Sequence, residues 1–325
     1  MTANKMKKIL VTGAVGQIGS ELTMVLREKY GNDNVIACGG KTKPSAKLLK
    51  SGPFEFIDIT KKETIVKVVK EYNIDTIYNM AAILSATGEE RPLLCWDVNI
   101  NGLYNIIEMA HEFNMTRVFV PSSIAVFGPE TPKVNTPQET ILKPKTMYGV
   151  TKVAGELLGD YYFKKFGIDV RGIRYPGIIS SETMPGGGTT DYAVEIFYEA
   201  IKNKKYTCFL KEDTVLPMMY MPDCIKATID LMETDISKLK HHCDFNIASM
   251  SFSAEELVNE IKKHIPEFIC SYKPDFRQEI ADSWPQSIDD STARKEWNWK
   301  PSYNLSSMTE EMLDILGKRY QKGNL

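Results

Sequence analysis

Tyr148 and Lys152, four residues apart in Tyr148-Gly149-Val150-Thr151-Lys152, are side chains of the types needed to oxidise an alcohol. On a helix, residues at this spacing rise from one face, one above the other. A free phenol holds its proton until a pH of about 10. A neighbouring ammonium favours the phenolate and is expected to lower that value, so that Tyr148 can take the proton of a substrate hydroxyl near neutral pH. The competing reading is a packed tyrosine beside a solvated lysine, and the pair alone is too common to decide. Ser123, in the pair Ser122-Ser123, is a candidate third member, because its hydroxyl can hold the substrate oxygen while the tyrosine removes the proton. A Ser-Ser pair can equally cap a turn.

The elements that must bring these groups together are an alternation of strands and helices. Ile9-Leu10-Val11-Thr12 is short and apolar, as a buried parallel strand should be. Gly13-Ala14-Val15-Gly16-Gln17-Ile18-Gly19 follows, and then an amphipathic helix is expected from Ser20 to Tyr30. A glycine motif gains meaning in this strand-turn-helix setting. Gly13 can make the tight turn, Gly16 can admit a pyrophosphate, and Gly19 can let helix pack on strand. The helix N-terminus then offers free N–H groups to the phosphates. A second strand, 34–38, runs into Gly39-Gly40-Lys41-Thr42-Lys43, where a NAD site usually carries an acid, ~20 residues past the glycines. The acid is missing. Either the backbone of Gly39 and Gly40 meets the ribose or the two lysines accept a 2′-phosphate, so NAD and NADP both stay open.

Further strands are expected at 54–57, 75–79, 117–121 and 168–174, with helices at 61–72, 92–114 and from Tyr148 onward. Asp58, after the third strand, can bond an adenine amine or cap the following helix. The small residues Met80-Ala81-Ala82 can let a cofactor lie across the fourth strand's end. This order predicts an α/β fold with a Rossmann-like, doubly wound parallel sheet and ligands at the carboxyl ends of the strands, where every candidate so far falls. Later, Pro185-Gly186-Gly187-Gly188 reads as a mobile lid, with Thr189 or Thr190 on the substrate, or as a plain turn. Helices are expected at 191–203 and 223–233, a strand at 242–247, and a capping box at Ser253–Glu256. Trp284 can wall a pocket or simply pack; Trp297 and Trp299 are assigned to the core. Residues 1–176 with about 216–248 are expected to form the dinucleotide domain, and about 177–215 with 249–325 a smaller, interleaved substrate-binding domain.

Composition narrows the classes. A formal charge of −2 over 325 residues gives no electrostatic reason to expect nucleic acid or an anionic membrane. The six cysteines form no Cys-x-x-Cys, and His111, His241, His242 and His264 show no metal-ligand spacing, so no metal and a reducing, cytoplasmic setting are expected. No apolar run approaches the ~20 residues of a membrane span. The N-terminal Met1–Lys8 runs directly into a strand, which leaves no room for a leader.

Taken together, Thr12–Gly19, Asn79-Met80-Ala81-Ala82, Asn99, Ser122–Gly128, Tyr148 with Lys152, Arg174-Tyr175-Pro176-Gly177 and Asp290–Trp297 resemble the extended short-chain dehydrogenase/reductase family. The resemblance covers essentially the whole chain. It implies Tyr148 as catalytic base, Lys152 as its tuner and a binder of the nicotinamide ribose, and Ser123 as orienter of the substrate hydroxyl. It also implies Gly13, Gly16, Gln17, Ile18, Gly19, Asp58, Ile59, Ala81, Asn99, Tyr175 and Ile178 at the cofactor. Four later segments, Pro176–Ser180, Pro185–Ala193, Leu216–Asp223 and Asp282–Pro285, are similar to the short-chain type of L-threonine 3-dehydrogenases. That resemblance implies oxidation of L-threonine at C3 by NAD, with Ser85, Gly177, Thr189 and Trp284 joining Ser123 and Tyr148 at the substrate. It further implies a homodimer pairing helices near 92–114 and 149–166 through Val150, Leu157 and Tyr161. These dehydrogenases usually carry an aspartate where this chain has Gly39. A nucleotide-sugar epimerase or dehydratase of the same fold and a non-catalytic dinucleotide sensor are the alternatives; an intact Ser123, Tyr148 and Lys152 count against the sensor.

Overall fold

Ile9, Leu10, Val11 and Thr12 are all buried, and a strand apolar on both faces needs a layer on each side. The computed structural model, which describes residues 6–184 and 186–323, places this strand, β1 (Ile9–Thr12), inside a six-stranded sheet. The other strands are β2 (Val35–Gly39), β3 (Phe54–Phe56), β4 (Thr76–Asn79), β5 (Arg117–Phe119), β6 (Ser122–Ser123), β7 (Val170–Arg171), β8 (Ile173–Tyr175), β9 (Gly177–Ile179), β10 (Lys205–Cys208), β11 (Val215–Tyr220), β12 (Phe245–Asn246), β13 (Met250–Ser253) and β14 (Ile269–Tyr272). The large sheet runs β3-β2-β1-β4-β5-β7, and every neighbouring pair is parallel. Strand order reverses between β1 and β4, which opens a crevice at their carboxyl ends. Three smaller sheets, β6-β8-β12, β9-β11-β13 and β10-β14, complete the fold.

The strand expected at 168–174 is divided, and the one expected at 117–121 stops at Phe119, with a separate strand at Ser122–Ser123 beyond it. β5 and β7 belong to the large sheet, whereas β6 and β8 pair with each other. Gly172 shows why: a Cβ there would lie 2.5 Å from the carbonyl oxygens of both Val120 and Cys243. Three backbones converge at that point, and the chain leaves one sheet for the next. The helix expected at 92–114 is α-helical over Pro92–Trp96, π-helical over Asp97–Gly102, and α-helical again over Leu103–Glu112. π-turns of this kind often mark functional positions, and Asn99 lies inside it. The first helix begins at Gln17, three residues earlier than its periodicity suggests.

Apolar side chains of the helices Gln17–Tyr30 and Met221–Glu233, with Trp297 and Trp299, pack on one face of the large sheet. Those of Lys62–Tyr72 and Leu103–Glu112 cover the other. A third core gathers the helix Tyr192–Asn203 with the later strands and helices, and reaches Tyr148. The capping box is present: Ser253 Oγ accepts from Glu256 N, and Ser253 N donates to Glu256 Oε2. Among the described residues no helix is long and apolar enough to cross a membrane. The leader expectation falls largely on residues 1–5, outside the described residues.

Candidate active site

Gly13 turns the chain at φ +62°, and a Cβ on it would lie 2.6 Å from Ala81 N. A Cβ on Gly19 would lie 2.2 Å from Gly13 O. Only glycine allows so tight a passage from β1 into the helix Gln17–Tyr30. That helix has no side-chain cap and no acid in its first turn, which leaves its N–H groups for an anion. The donor set therefore fits the pyrophosphate of a dinucleotide. At Gly39 a Cβ would meet the Phe54 ring at 3.1 Å and Val15 at 3.2 Å, while Gly40, Lys41 and Lys43 are exposed. Nothing in this arrangement selects between a free ribose and a 2′-phosphate.

Thr146 caps the helix Met147–Phe166, its Oγ1 accepting from Gly149 N at 3.0 Å. Tyr148 thus sits in the first turn, and Lys152 one turn on. Lys152 Nζ donates to the carbonyl of Pro121 at 2.7 Å and lies 5.3 Å from the centre of the Tyr148 ring. Ser123 Oγ accepts from Ala125 N at 3.2 Å, capping the turn Ile124–Val126. Its hydroxyl is also near enough to the Tyr148 phenol to favour the phenolate. The expected lowering of the Tyr148 pKa is not found in the free protein. Burial dominates and pushes the phenol up to about 12, with Ser123 pulling down and Cys95 pushing up. Burial likewise pulls the Lys152 amine down to about 8, against the opposing pull of Cys95 and Glu156. Both groups are desolvated, and each therefore resists charge.

Glu156 continues the same helix face. It accepts from Ser122 Oγ and pairs bidentately with Arg174, Nε to Oε1 and Nη2 to Oε2 both at 2.8 Å. This buried pair fixes the segment that carries Ser123.

A cleft of about 480 Å³ joins these parts. Gly13, Gly16, Gln17, Ile18 and Gly19 line it, as do Ser123, Tyr148 and Lys152. So do Tyr175, Gly177 and Ile178, and, from the substrate-side expectation, Ser85, Thr189 and Trp284. Ser85 Oγ accepts from Thr189 N at 3.3 Å and shares a hydrogen bond with its Oγ1 at 3.1 Å. These bonds, with Ala86 N donating to Gly187 O at 3.1 Å, hold the glycine loop against the helix Ser85–Glu90. Pro185, the first residue of the expected lid, lies outside the described residues.

Four expected cofactor residues lie off this cleft wall. Asp58 is exposed and accepts from Thr60 N and Thr60 Oγ1, at 3.1 and 2.7 Å, in a turn ahead of the helix Lys62–Tyr72, whose N-cap is Lys61. Ile59 is buried among apolar side chains. Asn99 accepts from Ile83 N at 2.8 Å and donates to Ile83 O at 3.0 Å, tying its π-turn to the loop after β4. With Ala81 it lines a cavity of about 20 Å³ behind Lys152, room for a single water. Sequence reasoning gave no role to Asp191, which lines the cleft; it entered only as a helix start and within the Pro185–Ala193 resemblance. Its signal was an acid directly after the Thr-Thr pair that follows the glycines.

Away from the cleft, Glu139, His241 and Asp244 come together, their ligand atoms within 4.8 Å, although spacing in the chain gave no hint of it. Both ring nitrogens of His241 are engaged by carboxylates, Glu296 at 2.9 Å and Glu139 at 3.0 Å. Burial opposes protonation there, but the carboxylates prevail and raise its pKa, as in an ion-pair cluster.

The model of the NAD dependent epimerase/dehydratase family matches residues 9–248. The chain belongs to that family. It is 50% identical over 317 residues, 97% of this chain and 99% of the relative, to a Staphylococcus haemolyticus (strain JCSC1435) protein described as an uncharacterized epimerase/dehydratase. Among solved structures it is similar to L-threonine dehydrogenase from Clostridium difficile, with TM-score 0.94 and 53% identity over 97% of this chain and 99% of that one. It is similar also to a monomeric L-threonine 3-dehydrogenase from a metagenome, with TM-score 0.92 and 54% identity over 95% and 99% of the two chains. The chain is thus an extended short-chain dehydrogenase/reductase, an oxidoreductase that uses a nicotinamide dinucleotide.

Proposed function

We propose that this protein oxidises L-threonine at C3, giving L-2-amino-3-oxobutanoate and reduced NAD. One observation carries the reading: a single cleft gathers the glycine turn, the Ser123–Tyr148–Lys152 group, and Ser85, Thr189 and Trp284. Gly13, Gly16 and the first-turn N–H groups from Gln17 would hold the pyrophosphate, and Tyr148 and Lys152 the nicotinamide ribose. When bound, the oxidised ring supplies a hydride acceptor and a positive charge. Lys152 steadies the Tyr148 phenolate, Ser123 positions the substrate hydroxyl, and the phenolate takes the hydroxyl proton and becomes the neutral phenol. Ser85 and Thr189 bond the amino acid, and Trp284 screens it from water. Residues 1–176 with about 216–248 serve the dinucleotide, and the remainder serves the substrate. The free cysteines suit the reducing cytoplasm.

Purified protein should reduce NAD with L-threonine, and faster than it reduces NADP. The family description favours a second reading, a nucleotide-sugar epimerase or dehydratase. Turnover of UDP- or dTDP-sugars without threonine oxidation would establish that reading instead.

We also propose a homodimer. Leu93, Trp96, Tyr104, Val150, Leu157 and Tyr161 are large apolar side chains left exposed on the helices at 92–112 and 147–166. Such a surface favours burial against a second copy.

A further inference from the structure

Among the described residues lining the cleft, Lys152 is the one cation and Asp191 the one carboxylate. Lys152 is committed to the Pro121 carbonyl beside the phenol. Asp191 is buried, and its Oδ2 accepts from Gly188 N at 2.9 Å. A carboxylate has about four acceptor sites, so one N–H leaves most of its capacity unspent. Burial pushes its pKa up to about 6; Gly188, Arg277 and Gly187 pull it down and Glu195 pushes it up. It is therefore charged at neutral pH. A buried anion facing a cleft, with spare acceptor capacity, calls for a cationic donor.

We propose that Asp191 is the anionic anchor of the substrate pocket, binding the ammonium of an α-amino-β-hydroxy acid whose hydroxyl is held by Ser123 and Tyr148. The proposal rests on reading the cleft as an alcohol-oxidising site, and it adds the reason an amine-bearing alcohol is chosen. A diphosphate placed against the same carboxylate would be repelled, which disfavours nucleotide sugars.

Steady-state rates with L-threonine, with 3-hydroxybutanoate (no amine) and with 1-amino-2-propanol (no carboxylate) test it. Wild-type protein should prefer the amine-bearing alcohols. Asp191→Asn, which keeps an acceptor for Gly188 N–H, should lower kcat/KM for L-threonine roughly 10- to 100-fold, mainly through KM. The loss on 3-hydroxybutanoate should be smaller, so that discrimination narrows. Asp191→Glu, which retains the charge, should keep more of the preference than Asn does. Nucleotide titration by fluorescence checks that each variant is folded. Equal losses on all three alcohols would reduce Asp191 to a prop for the glycine loop and overturn the proposal, as would a wild-type protein indifferent to the amine. Better turnover of 1-amino-2-propanol than of L-threonine would instead sink the threonine assignment while leaving the anchor standing.

Discussion

In the proposed reaction Tyr148 must lose a proton that burial makes it keep. Its phenol is pushed up to about 12, and the nearby Lys152 amine is pulled down to about 8. Alcohol oxidation needs the base unprotonated, so kcat/KM should climb as pH rises above neutral. Lys152→Met removes the cation that favours phenolate and should move the climbing limb to higher pH, as a pH-rate profile would register. Asp191 behaves in the opposite range. A carboxyl titrating near 6 loses its charge as pH falls, so KM for L-threonine should rise below about pH 6 while nucleotide affinity holds. The types and spacing of Ser123, Tyr148 and Lys152 were legible in the chain. The resting pKa values were not, because they depend on desolvation that only the folded cleft supplies. A role for Asp191 was not assigned for a related reason: an aspartate that opens a helix becomes the wall of a pocket only in the fold.

Elements set how firmly those residues are held. Thr146 starts the helix that carries Tyr148 and Lys152, and Thr146→Ala should cost about 1 kcal/mol. Thermal unfolding should show a drop of a few degrees at most. Gly172→Ala should be far worse, because its Cβ would meet two carbonyl oxygens at 2.5 Å. A loss of more than about 2 kcal/mol, or no soluble protein, is expected in denaturant unfolding. Apolar runs revealed where most strands and helices lie. They did not reveal that 168–174 divides between two sheets, or that the strand at 117–121 stops at Phe119 and β6 follows in another sheet, because pairing partners far along the chain make that choice. The π-turn around Asn99 was equally hidden, since it shifts one turn's hydrogen bonds without altering the apolar pattern.

At the scale of the molecule, alternating strands and helices implied a parallel sheet with ligands at its carboxyl edge. Its order, β3-β2-β1-β4-β5-β7, puts the reversal next to the glycine turn and so puts the cleft there. The exposed apolar helices belong to this scale too. Light scattering should give about twice the 36.8 kDa chain mass, and Leu157→Glu should shift it toward one chain; a wild-type single-chain mass, as the name of the metagenome relative suggests for that protein, would refute the dimer. The most direct test of the chemistry is a single turnover of L-threonine with NAD, comparing wild-type protein with Tyr148→Phe. Wild type should form reduced NAD, and the variant should bind nucleotide yet form it at least about 100-fold more slowly. Equal rates in the two proteins would contradict Tyr148 as the base.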